Sequence, residues 1–471
     1  RPMLPWSATG RETMSTATPS QPLTPLRKAV FGMGDHSVNI ALSSLSLVYF
    51  TFLVTVAGLD PWRAGLIAWL ARLVDAFTDP LMGRLSDATR WKIGRRRPFF
   101  LIGMVPLGIF FSLMWTTPYS EQSQMFAYYL LIYIGLALST TVVSIPYMAL
   151  IPEMATGYDE RTSLNSYRSA AAIMGTMVAA GFFGIAEWLG GGAEAFATTG
   201  LAIGIWMVLP WPFVYAVSFE NKVTERPAPI QLWSILKGLG GHSSYIRLCF
   251  IYVGGRIAMD LLGLSIPLFI TIWLGRPGDV HWSLLSTLSV VVLSLPFWLR
   301  YAKRQEKHHI FTLGSIWFML CLGVIGMGDP TWPRWTMFAI SGLLGIGYAA
   351  VDLMPWAMIG EVVDENELNS GQRSQGVYNG VLTFLRKLGG ATAYMVAGFA
   401  LSLAGYDRDA AQQTPVVMDT VRLLATAAPA LFLGLGLIAV RGYPLTRARH
   451  SEILSGLAAR EQAPPAPPKS S

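Results

Sequence analysis

Apolar runs of about 20 residues recur from one end of this chain to the other, each long enough to cross a ~30 Å hydrocarbon core. "FATTGLAIGIWMVLPWPFVYAV" and "YYLLIYIGLALSTTVVSIPYMALI" are two of them. In lipid no water satisfies the backbone N–H and C=O groups, so such a run must bond to itself as a helix. The other solution, a closed barrel, needs short alternating segments, and these runs do not alternate. Charged residues make up only 13% of the 471, against roughly 25% in soluble domains. The chain reads as an all-α, multi-pass membrane protein whose lasting partner is the lipid bilayer.

Two further numbers exclude other classes. The net charge of +7 is carried by short loops between the apolar runs. It is therefore a topology signal and gives no ground for a nucleic-acid partner. The two cysteines, Cys249 and Cys321, both fall inside apolar runs, so no disulfide framework is expected. The opening "RPMLPWSATGRETMSTATPSQPLTP" lacks the apolar core and cleavage site of a signal peptide. It reads as a disordered lead-in, with Met14 as the expected initiator.

Twelve spans are expected, near 26–56, 62–87, 97–117, 123–152, 163–190 and 195–218, then 245–274, 281–301, 309–328, 333–362, 373–404 and 416–441. The longest polar connection falls between the sixth and the seventh. "ATRWKIGRRRP", "RYAKRQEKHH", "RGYPLTRARH" and that connection are basic and share one side if the spans alternate. By the positive-inside tendency that side, with both termini, is cytoplasmic, which places the chain in a cell (inner) membrane. The expected divisions are a disordered segment (1–25), a six-helix half (26–218), a cytoplasmic connection (219–244), a second six-helix half (245–441) and a cytoplasmic tail (442–471). Two six-helix halves around a cytoplasmic connection is the layout of the major facilitator fold.

Polar residues inside such spans are costly and mark functional paths by default. In "LVDAFTDPLMGRLSD", Asp75 and Asp79 are one turn apart with Thr78 beside them. Together they offer hard oxygen ligands for a small cation or a proton. Asp35, with His36 and Asn39, interrupts the first span, and Arg168 heads the Ala- and Gly-rich fifth. Asp352 lies deep in an apolar run near Pro355 and Trp356, a combination suited to sugar recognition. Lys387 stands in the eleventh span beside Gly389 and Gly390, opposite the buried carboxylates, as a switchable partner. Arg256 and Asp260, four apart, read as a structural pair. Gly83, Asp87, Arg95, Arg96 and Arg97 read as a cytoplasmic latch between helix ends.

At these residues the sequence resembles the glycoside–pentoside–hexuronide:cation symporter family of the major facilitator superfamily. The resemblance is carried by "FGMGD", "DAFTDPLMGRLSD" with "GRRRPF", "SIPYMALIPEM", "ERTSLNSYR", "PWAMIGEVVDENELNSGQRSQGVYNG", "FLRKLGGA" and "RGYPLTRAR", across about residues 25 to 450. It implies a coupling-cation site at Asp75 and Asp79, which are the metal ligands if the ion is Na+. Thr78 and Thr141 are its implied further oxygen donors. It implies sugar contacts at Asp35 and Arg168, and coupling of the two sites by Lys387. Where melibiose-permease-like members have a fourth-helix aspartate and a tryptophan, this chain has Ser144 and Met148, which leaves both substrate and ion open.

The function expected is alternating-access symport of a sugar or glycoside-like solute with Na+ or H+, by a monomer needing no cofactor. A lysolipid or other amphiphile is the alternative substrate. The remote alternative is an intramembrane prenyltransferase-type enzyme, since Asp-x-x-x-Asp also serves magnesium diphosphate chemistry.

Overall fold

The computed structural model describes residues 23–155, 158–220, 243–370, 375–410 and 412–462. Almost all of the 219–244 connection and most of the 1–25 lead-in lie outside them. Among the described residues, helices bounded by loops form twelve long rods. The first is α1 (Pro25–Ser44), prolonged by wide π turns at Leu45–Tyr49 and Phe52–Ala57. Then come α2 (Pro61–Ala88), α3 (Pro98–Leu113) and α4 (Gln122–Met154). The fifth and sixth rods are each broken once, into α5 (Tyr158–Ala180) with α6 (Phe182–Trp188), and α7 (Gly192–Val208) with α8 (Pro210–Val217).

The second set repeats the plan. It comprises α9 (Ser243–Leu268) with a π turn at Phe269–Trp273, α10 (Val280–Ala302), α11 (Lys307–Gly326), α12 (Arg334–Ser370) and α13 (Gln375–Leu403). A broken last rod, α14 (Pro415–Ala425) with α15 (Ala427–Val440), completes it. Eight rods are long and apolar enough to cross a membrane by composition alone. Of the other four, α3 has 16 residues, while those of α1, α2 and α13 carry Asp35, Asp75, Asp79 and Lys387.

Local chemistry sets the ends. Thr24 accepts from the Arg27 N–H at 3.3 Å and Pro25 opens α1; Thr414 and Pro415 open α14 in the same way. A threonine cap followed by proline satisfies one orphan donor and removes another. Gly58, with φ of 83°, ends the first rod in the left-handed region. Both ends carry structure that the sequence reading did not set out. Leu23 is buried and its N–H meets Glu160 Oε1 at 2.5 Å, so the last residues of the lead-in are fixed on the fifth rod. The expected tail contains a helix, α16 (Arg447–Gln462), seated on α12 through buried Ile453 and through Gly456 against Leu368. Its one apolar turn was too short to read as a packing face.

The two sets meet at the end opposite the basic loops. There α2 lies along α13, where a Cβ on Gly65 would come within 2.8 Å of the Tyr394 carbonyl, and one on Gly398 would strike that of Pro61. Small residues let the backbones come together, the usual device where lipid supplies no hydrophobic drive. Arg408 donates to Ala57 O at 3.0 Å, the Trp62 N–H to Ser402 Oγ at 3.0 Å, and Tyr394 Oη to Leu45 O. Leucine at Gly398 should open this end. A cysteine at Ser402, with Cys249 and Cys321 replaced, should then label faster with a membrane-impermeant maleimide than in the Gly398 parent.

Candidate functional site

The centre of the site is an ion-pair chain across α2, α4 and α13. Lys387 donates to Asp79 Oδ2, and its Nζ lies 3.5 Å from Asp75 Oδ2. Arg72, one turn ahead of Asp75 on α2, donates to the same Asp75 oxygen at 2.9 Å. Thr141 Oγ1 on α4 donates to Asp79 Oδ1 at 2.7 Å. Asp75 is buried, at 3% exposure, while the Asp79 and Lys387 side chains keep 25% and 27%. Two carboxylates and two cations leave the chain of charges neutral. Asp75 is held by two cations; Asp79 depends on Lys387 and a hydroxyl.

Thr78 makes no bond to either aspartate side chain. Thr78 turns its hydroxyl to the backbone oxygen of Asp75, at 3.5 Å, because a mid-helix threonine finds a carbonyl on its own helix within reach. Arg72 was missed, although its i, i+3 spacing to Asp75 is visible in the sequence. Among the described residues, no three His, Cys, Asp or Glu side chains are grouped so that they could hold a metal ion.

Asp35 and Arg168 come together as well. Arg168 Nε meets Asp35 Oδ2 at 2.6 Å and its Nη2 meets Oδ1 at 3.0 Å, the bidentate geometry of a strong guanidinium–carboxylate pair. Tyr147 Oη adds a donor at 2.7 Å, and Asn165 takes Arg168 Nη1 at 2.8 Å. Asn39 instead donates to the Asp35 carbonyl at 2.8 Å, and His36 accepts from Trp206 at 2.9 Å. Along α4, Thr141, the half-buried Ser144 and the exposed Met148 follow one another at helical spacing, from the Asp79 seat towards open space. In the second half Arg256 pairs with Asp260 at 2.7 Å and lies 3.8 Å from Asp352, whose side chain is 47% exposed. Trp356 stands edge-on to Tyr252, with its ring partly committed to packing. Gly389 and Gly390 make room for Arg256 and Asp260 on α13, one turn from Lys387.

The latch residues knit helix ends to two carboxylates that sequence reading missed, Glu153 and Glu220. Arg96 donates to Asp87 Oδ1 at 2.5 Å, to Ala149 O at 2.6 Å, and to Glu153. Arg95 reaches Glu153 at 2.6 Å. Glu220, beyond α8, accepts the N–H groups of Arg95, Arg96 and Arg97 at 2.8, 2.8 and 3.0 Å. Arg97 crosses to Tyr215 O at 2.8 Å and lies over its ring. Gly83 takes no part in a tight contact, since a Cβ there would meet Ile145 at an ordinary 3.9 Å. The second half has its own counterpart, Lys307 to Glu361 at 2.8 Å.

Burial alone would raise the Glu220 carboxyl, but the backbone donors of Arg97, Arg95 and Arg96 outweigh it and hold the group below its ordinary 4.5. A depressed carboxylate adds stability above that value and loses it as pH falls through the folded pKa. Glu220→Gln should therefore lower the thermal midpoint at pH 7, with the gap from wild type closing on acidification below about pH 4.5.

With this geometry in view, the comparisons are direct. A family described as MFS/sugar transport protein matches residues 30–447. An uncharacterized symporter, sll1374 of Synechocystis, is 27% identical over 95% of this chain and 99% of its own length. Sodium-dependent lysophosphatidylcholine symporter 1-A of Danio rerio is 26% identical (91% and 87%), and the Escherichia coli inner membrane symporter YicJ is 27% identical (93% and 96%). A bacterial homologue of the human drug peptide transporters PepT1 and PepT2 superposes with a TM-score of 0.64 at 13% identity, covering 90% of this chain and all of that one.

The fold is that of a major facilitator transporter, all-helical and multi-pass. The chain belongs to the MFS/sugar transport protein family, the melibiose-permease-like branch of that superfamily. It is a transporter and not an enzyme, which removes the prenyltransferase alternative; in the structure Asp75 and Asp79 are turned to Arg72, Lys387 and Thr141.

Removing one partner of a partly buried pair leaves the other charge uncompensated and is destabilising. Lys387→Ala should lower the thermal midpoint accordingly. If Lys387 and Asp79 hold each other, adding Asp79→Asn to it should recover most of the loss in a double-mutant cycle read by detergent unfolding.

Proposed function

We propose that this chain is a cation-coupled symporter that carries a sugar or glycoside-like solute by alternating access. The observation that supports this best is Lys387 on the Asp75–Asp79 seat, contributed by the second half to the first. A monovalent cation entering a neutral set of charges would leave an uncompensated positive charge at low dielectric, which is unfavourable. Entry of Na+ at Asp79, or its protonation, therefore releases Lys387, and with it one bond that ties α13 to α2. The seat proposed is Asp75, Asp79 and Thr141, without Thr78. Solute binds between the halves near Ser144, Met148, Asp352 and Trp356, with Asp35 and Arg168 exchanging their mutual bonds for substrate hydroxyls. Coupling is reciprocal, so solute tightens the cation by the factor that the cation tightens solute.

The structure then stands closed at the end opposite the basic loops. The halves 26–218 and 245–441 rock about the site, both termini are cytoplasmic, and the chain works as a monomer in a cell (inner) membrane like that of the E. coli relative. An amphiphile is the second reading. The half-exposed Met148 (52%) and the lysophosphatidylcholine symporter among the relatives favour it.

Proteoliposomes with an imposed Na+ or H+ gradient test both, using labelled sugars and glycosides in one arm and lysophosphatidylcholine in the other. Asp79→Asn should abolish gradient-driven accumulation, a loss of 100-fold or about 2.7 kcal/mol, while exchange without a gradient persists. Full accumulation by that variant would overturn the cation seat.

A further inference from the structure

A groove on the outer surface of the second half, remote from the ion-pair chain, has no role in the mechanism above. It is lined by Trp282, Leu285, Ser286 and Ser289 of α10 and by Arg334, Trp335 and Phe338 of α12, and encloses about 810 Å³. Its origin is a helix crossing. A Cβ on Gly342 would come within 2.9 Å of Ser286 Oγ, and one on Gly345 would strike the Thr287 carbonyl, so the helices touch there. Ser286 Oγ also donates to the Phe338 carbonyl at 2.8 Å, so the helices stay joined to that level and the groove is an open, mostly apolar furrow between Trp282 and Trp335 with that contact as its floor.

The furrow opens at a defined depth. Trp282 and Trp335 are exposed at 55% and 67%, and Trp188 at 83%, all at the end opposite the basic loops. Exposed indoles at one level mark the membrane–water interface. Arg334, the first residue of α12, stands at that level with its side chain 67% exposed. Its Nε and Nη2 are anchored on the buried Asp279 at the α10 end, which aims the remaining guanidinium edge outward. The first-turn N–H groups of α12 add a positive helix end. An anchored, exposed guanidinium at headgroup depth above an apolar furrow is complementary to one amphiphile in particular.

We propose that this groove seats a single phospholipid of that leaflet, its phosphodiester on Arg334 between the Trp282 and Trp335 indoles and one acyl chain in the furrow over Leu285 and Phe338. Both walls belong to the same half, so the lipid stays in place while the halves move and is a structural ligand, not cargo. Recognition rests on the phosphate, because Asp279 already balances the Arg334 charge; phosphatidylglycerol and phosphatidylethanolamine should both bind, and a diacylglycerol should not.

The test is native mass spectrometry of the delipidated full chain after addition of dioleoyl phosphatidylglycerol, with dioleoylglycerol as the second arm. The wild type should hold one phospholipid under activation that strips the others. Trp335→Ala, an exposed change that leaves the fold intact, and Arg334→Gln should each weaken that adduct roughly tenfold, ~1.4 kcal/mol. The lipid-induced rise in thermal midpoint should disappear in both variants. Retention of phospholipid unchanged in Trp335→Ala, or equal retention of dioleoylglycerol by the wild type, would overturn the proposal. Because neither readout uses transport, failure here leaves the symport reading untouched.

Discussion

The ammonium of Lys387 is held by carboxylates that belong to the other half of the molecule, and the rest of the site is organised around that fact. A charge is expensive in the bilayer, so it survives there only when neutralised by a neighbour. Here the two halves neutralise each other: the first supplies Asp75 and Asp79, the second Lys387. The polar groups that make the protein costly to insert are thus the groups that hold its halves together at mid-depth. Glycine packing of α2 on α13 brings the backbones close enough for a lysine to span the gap.

The two aspartates are not equivalent. Asp75 is buried and shared by Arg72 and Lys387, whereas Asp79 has Lys387 and the Thr141 hydroxyl and keeps a quarter of its surface. A group tied by two cations has two bonds to lose; a group tied by one lysine has a single ionic bond to lose. The Asp35–Arg168–Tyr147 cluster and the Arg256–Asp260 pair beside Asp352 extend the same pattern into each half. Burial forces pairing, and the pairs differ in how many bonds must break to open them. At the basic end Glu220 and Glu153 gather the arginines of the 95–97 run, so a stretch that reads as a topology signal also fastens α2, α3 and α4.

Much of this was legible in the sequence. Continuous apolar runs, loop charge and the motifs around "DAFTD" and "GRRRP" point to the helices, the family and most of the polar residues that meet in the centre. Spacing along one helix is local, so Asp75, Asp79 and even Arg72 could be set on one face by counting. Contacts between residues hundreds of positions apart leave no local trace: nothing in the sequence says which oxygen Lys387 takes, or that Glu220 caps three N–H groups. Spacing set Thr78 beside the aspartates, but only the structure gives its hydroxyl's partner, the helix's own Asp75 carbonyl.

The sequence by itself determined that the chain crosses lipid as helices, since no other fold satisfies the backbone of so many long apolar runs. It also determined the stock of charges those helices must hide. Only the tertiary structure decided who neutralises whom: that Asp75 is doubly held and Asp79 singly, and that Arg168 is turned to Asp35. It also decided that α10 and α12 leave a furrow beneath Arg334. The reason is physical: pairing and packing depend on distances of a few ångströms between helices, which are set by where the small residues let backbones meet.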